Sequence, residues 1–273
     1  MRISKQIFAV LIVAVLASCF SVVAYADQQT DDTQRVEAER LWEAMIAAKG
    51  GRERLQAVTN VQMSEHEKYW HLLRHLEINY EGLFVFPNKA WVWDDQRGTV
   101  FGMSVRLHNF ETNTHLSYVD SGHGARVTPI INPSQHNLVR LQLHLFGGTR
   151  WVRPVPQRAR LGKLDNREVD IVEVRVDELP ADERKVEFWL DRASHLPIQV
   201  VYYKSTKAGH EWSGDVPLSR YVEVNGIKIP GQIGRVRAKY QLNVDYDPRL
   251  FEQPPSISAG LDAWKNERST KTH

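Results

Sequence analysis

The sequence predicts an α+β domain: a long, strongly curved antiparallel sheet with an apolar concave face, preceded by a helix. Three stretches carry that reading. "TQRVEAERLWEAMIAAKGG", from Thr33, sets Ala38, Leu41, Trp42, Met45 and Ala48 at helical spacing and stops at Gly50 and Gly51. "RVRAKYQLNVDY" puts Val236, Ala238, Tyr240, Leu242, Val244 and Tyr246 on one face and polar residues on the other, as in an antiparallel sheet wet on one side. "KVEFWLDRASHLPIQVVYYK", from Lys185 to Lys204, reads as two strands and a turn with one continuous apolar face.

The elements follow in order. Arg2 and Lys5 precede an uncharged run from Ile7 to Ala26 that ends in "AYA", the pattern of a secretory signal at residues 1–26 cut after Ala26. "LASC" offers a second reading, with Cys19 lipidated as the mature N-terminus, although "FSVVAYA" continues the apolar run beyond it. A retained anchor is the third, since a bilayer span takes roughly 20 residues. All three place the domain outside the cytoplasm: periplasmic or exported, or an outer-membrane lipoprotein if Cys19 is lipidated. After the polar leader Asp27–Asp32 and the helix, "RERLQAV" forms a short turn into the first strand, where Val61 and Met63 begin an alternation. "LEINYEGLFVFPNKAWVW" is strand-rich around Pro87 and breaks at "DDQRG". "SQHNLVRLQLHLFGG" has a capping Ser134 and terminal glycines, yet Val139, Leu141, Leu143 and Leu145 alternate like a strand; the helix reading is preferred. "REVDIVEVRVDEL", the hairpin above and "SRYVEVNGIKIP" complete the sheet. No linker splits the chain, so residues 27–255 form a single domain, and the polar residues 256–273 read as a disordered tail.

Composition excludes some functions. Cys19 is the only cysteine, so no disulfide can form and the domain rests on its core. Loss of Arg2 and Lys5 brings the 35 basic residues level with the 33 acidic ones. That balance argues against nucleic acid, whose binding draws on phosphate neutralisation, and gives no attraction to an anionic bilayer. Membrane contact arises only if Cys19 is lipidated or the N-terminal segment is retained.

No catalytic constellation emerges. His71 and His75 in "HLLRH" lack the glutamate of a metalloprotease helix, and His108, His115 and His123 have no ligand-like spacing. Asp120, Ser121 and His123 in "VDSGHGAR" are too close in sequence for a triad and suit a hairpin loop. Asp94 and Asp95 in "WDDQRG" read as a turn. "FGG" followed by "TRW" lacks the P-loop lysine. No catalytic residue, metal ligand or cofactor is therefore assigned. Trp91 and Trp93 share one strand face, where packing is the ordinary explanation and sugar stacking or acyl contact the rarer one.

A curled sheet and one helix leave a hollow. At roughly 24 cal/mol per Å³, an empty void of about 300 Å³ costs on the order of 7 kcal/mol, as much as a domain's stability. An acyl chain filling it gains about 0.8 kcal/mol per CH₂, or roughly 10 kcal/mol for a long chain. "AAKGGRERLQAVTNV", "VEFWLDRASHLPIQVVYY", "YVEVNGIKIPGQI" and "LNVDYDPRLFEQP" run in an order that resembles the periplasmic lipoprotein-carrier superfamily of the LolA/LolB type, including its outer-membrane lipoprotein-sorting-like members. The resemblance implies an incomplete, strongly curved antiparallel β-barrel with helices plugging a hydrophobic cavity that receives acyl chains. No functional residue is carried across from the family. The expected function is a non-enzymatic binder or carrier of lipid or lipoprotein acyl chains in the bacterial envelope, with envelope proteins as further partners. By alternation, the lining is Val172, Val174, Val186, Phe188, Leu190, Val200, Tyr240 and Leu242. The alternatives are an envelope scaffold with a self-filled core and a histidine-dependent metal enzyme.

Overall fold

The computed structural model describes residues 32–71, 74–96, 102–120, 125–206 and 209–252. Ala26 and Cys19, the residues His123 and Ser121, and the tail from residue 253 lie outside the described residues. Helix α1, residues 32–48, buries Ala38, Leu41, Trp42, Met45 and Ile46 along one stripe, as the helical spacing requires. Gly50 then takes φ 121°, a conformation that favours glycine, and the short helix α2, Arg52–Gln56, buries Leu55.

Among the described residues fourteen strands follow, and all of them pair antiparallel. The first sheet contains β1 (Asn60–His71), β2 (Arg74–Val85), β3 (Lys89–Gln96), β4 (Gly102–Asn109), β5 (Thr114–Asp120) and β6 (Ala125–Pro129) in sequence order. Helix α3, His136–Phe146, leads to the second sheet. That sheet holds β7 (Val155–Leu164), β8 (Arg167–Arg175), β9 (Lys185–Asp191), β10 (Pro197–Thr206), β11 (Gly209–Val224) and β12 (Ile227–Ile233). Tight turns set the hairpins: Asn225 and Gly226, at φ 51° and 74°, join β11 to β12. Between β9 and β10, the Asp191 carboxylate accepts from the Ser194 amide at 2.8 Å.

A single stretch of chain serves both sheets. β13 (Val236–Arg237) pairs with β12, and β14 (Lys239–Leu242) pairs with β1, Met63 opposite Tyr240. Between them the Ala238 amide donates to the Gly231 carbonyl at 3.2 Å. The two sheets are thus one curved surface, open between β6 and β7, which pair with no further strand among the described residues. This is the incomplete barrel expected, with α1 and α3 on its concave side.

α3 resolves the ambiguous "SQHNLVRLQLHLFGG" as a helix that stops at left-handed Gly147, φ 76°. Ser134 is not its cap; its hydroxyl bonds His136 Nδ1 at 3.2 Å instead. Three expectations need correcting. Asp94 and Asp95 are strand residues of β3, opposite Ser104 and Met103, because the strand runs on to Gln96 before turning. The alternation from Val236 to Tyr246 does not hold as one face. Val236 is exposed and the ladder ends at Leu242, after which Val244 and Tyr246 pack on the opposite face of the first sheet. That face is not wet: Leu83, Trp91, Trp93, Met103, Val105, Tyr118 and Phe251 form a second core there. The segment after Leu242 straps it down, the Asn60 amide group donating to the Val244 carbonyl at 3.1 Å.

Candidate functional site

The candidate site is a cavity of about 280 Å³ between the concave face of the first sheet and α3. Strand register builds its wall. Phe84, Ala90 and His108 stand side by side across β2, β3 and β4, and in the next row Met63, Gly82, Val92 and Arg106 do the same from β1 to β4. The Phe84 ring lies over Gly82, where a Cβ would meet it at 2.5 Å. The opposite wall is one stripe of α3, Asn137, Leu138 and Leu141, with Ser134 just ahead of it and Phe110 and Tyr80 at the ends. A small-ligand pocket starts at roughly 300 Å³, so this volume suits one slender apolar chain.

Arg106 is the charged side chain of the lining. Arg106 is exposed and makes no ion pair among the described residues. Beside it, His108 is held neutral, its pKa lowered by burial first and by His115 and Arg106 second. Its Nδ1 has no hydrogen-bond partner, and its ring stacks on Phe110 with centroids 5.9 Å apart. Burial pushes the Tyr80 phenol up to about 12, so it stays a neutral hydroxyl.

Within α3 the polar contacts run to the second sheet, while Gln135 at its start donates to the Pro87 carbonyl of the first at 3.3 Å. Arg140 pairs with Glu183 at 2.5 Å and lies 4.9 Å from the Tyr202 ring centroid. His144 Nε2 and the Tyr202 hydroxyl share a hydrogen bond of 2.8 Å. Burial, and then Arg140, lower His144 to about 4, keeping the imidazole neutral. Toward the first sheet α3 presents mainly apolar contacts, with Phe146 edge-on to Phe86 at 6.1 Å.

The eight expected lining residues are buried. Val172, Val174, Val186, Phe188, Leu190 and Val200 have no exposed surface, and Tyr240 and Leu242 expose 8% and 7%. All eight belong to the principal core beneath the helices, where Trp42 of α1 stands edge-on to Phe188 at 5.0 Å. The residues around the open cavity come instead from β1–β4 and α3. Their signal was present as the apolar stripe of α3 and the Phe84, Ala90 and Val92 alternation, but only strand register shows that these meet Arg106 and His108. A second cavity of about 300 Å³ lies where α1, α2 and the turn after α3 converge, with Arg52 and Arg153 at its edge. A third, about 680 Å³, opens at the seam between the sheets. Among the described residues no three His, Cys, Asp or Glu side chains come together as a metal site. Among them, too, no helix is long and apolar enough to cross a membrane.

No protein-family model matches the sequence, and no curated protein does either. Solved structures are similar to it at low identity. A DUF1329 family protein from Desulfovibrio piger is 9% identical, with a TM-score of 0.46 over 82% of this chain and 98% of that one. A LolA superfamily protein from Nitrosomonas europaea is 12% identical, with a TM-score of 0.46 over 79% and 97%. A domain from Vibrio parahaemolyticus assigned to outer-membrane lipoprotein sorting is 11% identical, with a TM-score of 0.42 over 78% and 97%. The structural neighbours of this chain thus include DUF1329, LolA superfamily and lipoprotein-sorting proteins.

Proposed function

We propose that this chain is an exported, non-enzymatic binder or carrier of hydrophobic ligands, lipid or lipoprotein acyl chains, in the cell envelope. One observation carries the reading: an apolar cavity is left open between a curved sheet and a helix whose polar anchors lie on the other sheet. A packed core fills such space when nothing else does, because a void forfeits contacts on every side. The ligand's apolar part lies against Phe84, Val92, Leu138 and Leu141. Lifting α1 and α3 would extend the cavity over Val172, Val174, Val186, Phe188, Leu190, Val200, Tyr240 and Leu242, and in that way the eight buried residues enter the site.

Native mass spectrometry with solvent extraction tests this on the exported chain purified without detergent. About one lipid per protein is the expected result. A ligand-free mass, together with no uptake of a fluorescent fatty acid, would overturn the reading. It would favour a second one, an envelope scaffold with a self-filled core, which the burial of those eight residues, six of them with no exposed surface, supports.

A further inference from the structure

Resting on that reading, we infer that the cavity takes a single-chain amphiphile with an anionic head, its chain between β2–β4 and α3 and its head on the Arg106 guanidinium. Three features select this ligand. About 280 Å³, before any helix lifts, is room for one chain. The cation belongs to the cavity wall itself: Arg106 stands between Val92 and Ser117 in register on the concave face, one strand row from Ala90 and His108. It has no carboxylate partner among the described residues, so its five donors remain available, and its fork matches a carboxylate or phosphate.

The surroundings set polarity and direction. Arg106, Asp94 and Glu65 are all charged neighbours of Tyr80, so the guanidinium is the attractive group for an anion at that end of the cavity and the two carboxylates limit its pull. The head is held at Arg106, with the neutral His108 beside it. Arg106 is exposed, so the pairing is worth a modest factor and weakens with salt. The chain supplies affinity and the guanidinium supplies selectivity.

Isothermal titration of the delipidated exported chain with dodecanoate, dodecyl phosphate and dodecanol tests the inference, using Arg106→Gln and Leu141→Trp. Dodecanoate should bind one to one, about two- to fivefold more tightly than dodecanol, and Arg106→Gln should erase that difference. Dodecanoate above dodecyl phosphate would identify a free fatty acid, and the reverse order a lipid phosphate; either supports an anionic head. Leu141→Trp, which fills the cavity, should abolish all three. Equal binding of dodecanoate and dodecanol, unchanged by Arg106→Gln but lost in Leu141→Trp, would overturn the head-group inference and leave the cavity reading standing. No binding by any of the three, or binding that Leu141→Trp does not alter, would overturn the cavity reading itself.

Discussion

Gly50 and Gly226 lie in contact: a Cβ on Gly50 would sit 2.3 Å from the Gly226 carbonyl oxygen. The end of α1 is pressed against the β11–β12 turn. The Lys228 amide donates to the Lys49 carbonyl at 2.9 Å, and the Arg54 guanidinium donates to the Gly50 carbonyl at 3.1 Å. Two glycine motifs far apart in sequence thus form one joint. Gly50→Ala should cost at least about 2 kcal/mol, because it combines a positive φ with a backbone clash. Urea unfolding measures it, and an unchanged midpoint would mean the joint is not formed in solution.

Phe188 is fully buried against Trp42. Phe188→Ala should lose roughly 3–5 kcal/mol, and Phe188→Asp should leave no cooperative unfolding transition, since it buries an unpaired charge. Near-ultraviolet circular dichroism checks both. A folded Phe188→Asp would show that α1 stands away from the sheet and that this region is already open.

Lys49 is fully buried at the end of α1, its ammonium without a hydrogen-bond partner and 5.1 Å from the Tyr221 ring centroid. Burial lowers its pKa to about 7. Between that value and the unfolded value of about 10.4, the unfolded chain carries a proton the folded chain lacks, so stability rises with pH across the window. Lys49→Met should therefore stabilise by several kcal/mol near pH 7 and by progressively less toward pH 10. Urea melts at the two pH values decide it. An equal gain at both would mean the folded protein tolerates the charge.

His144 works in the acid range. With its folded pKa lowered to about 4, it binds a proton in the unfolded chain first, so its contribution is complete above about 6.5 and is lost as pH falls toward 4. The side chain is half-buried, which keeps the loss below the roughly 3 kcal/mol that the full shift implies. His144→Leu should flatten thermal stability between pH 6.5 and 4. The same slope in wild type and variant would place the titration elsewhere.

Much of the fold was legible because antiparallel strands advertise themselves. The "KVEFWLDRASHLPIQVVYYK" hairpin and the turn at Asn225 and Gly226 depend on local chemistry, and both are where the pattern puts them. The 236–246 stretch misled because alternation assumes one continuous strand. Here the chain changes partners at Ala238 and leaves the sheet after Leu242, so identical spacing serves two cores. The cavity was illegible for a related reason: Arg106, His108 and Leu141 come from elements whose meeting depends on register and on the packing of α3, which no local window contains.

The partner change at Ala238 also fixes where this molecule can give. On that side the two sheets are sewn together by main-chain hydrogen bonds, which yield only by unravelling the ladder. On the far side β6 and β7 are separate hems, spanned by α3 and its flanking loops. Since α3 is fastened by Arg140 and His144 to the second sheet and meets the first through Phe146 on Phe86 and one hydrogen bond from Gln135 to the Pro87 carbonyl, any parting of the two halves would be like that of a book with a stiff spine. The pages meet at the cavity, and spreading them sacrifices van der Waals contacts that an incoming apolar chain can restore.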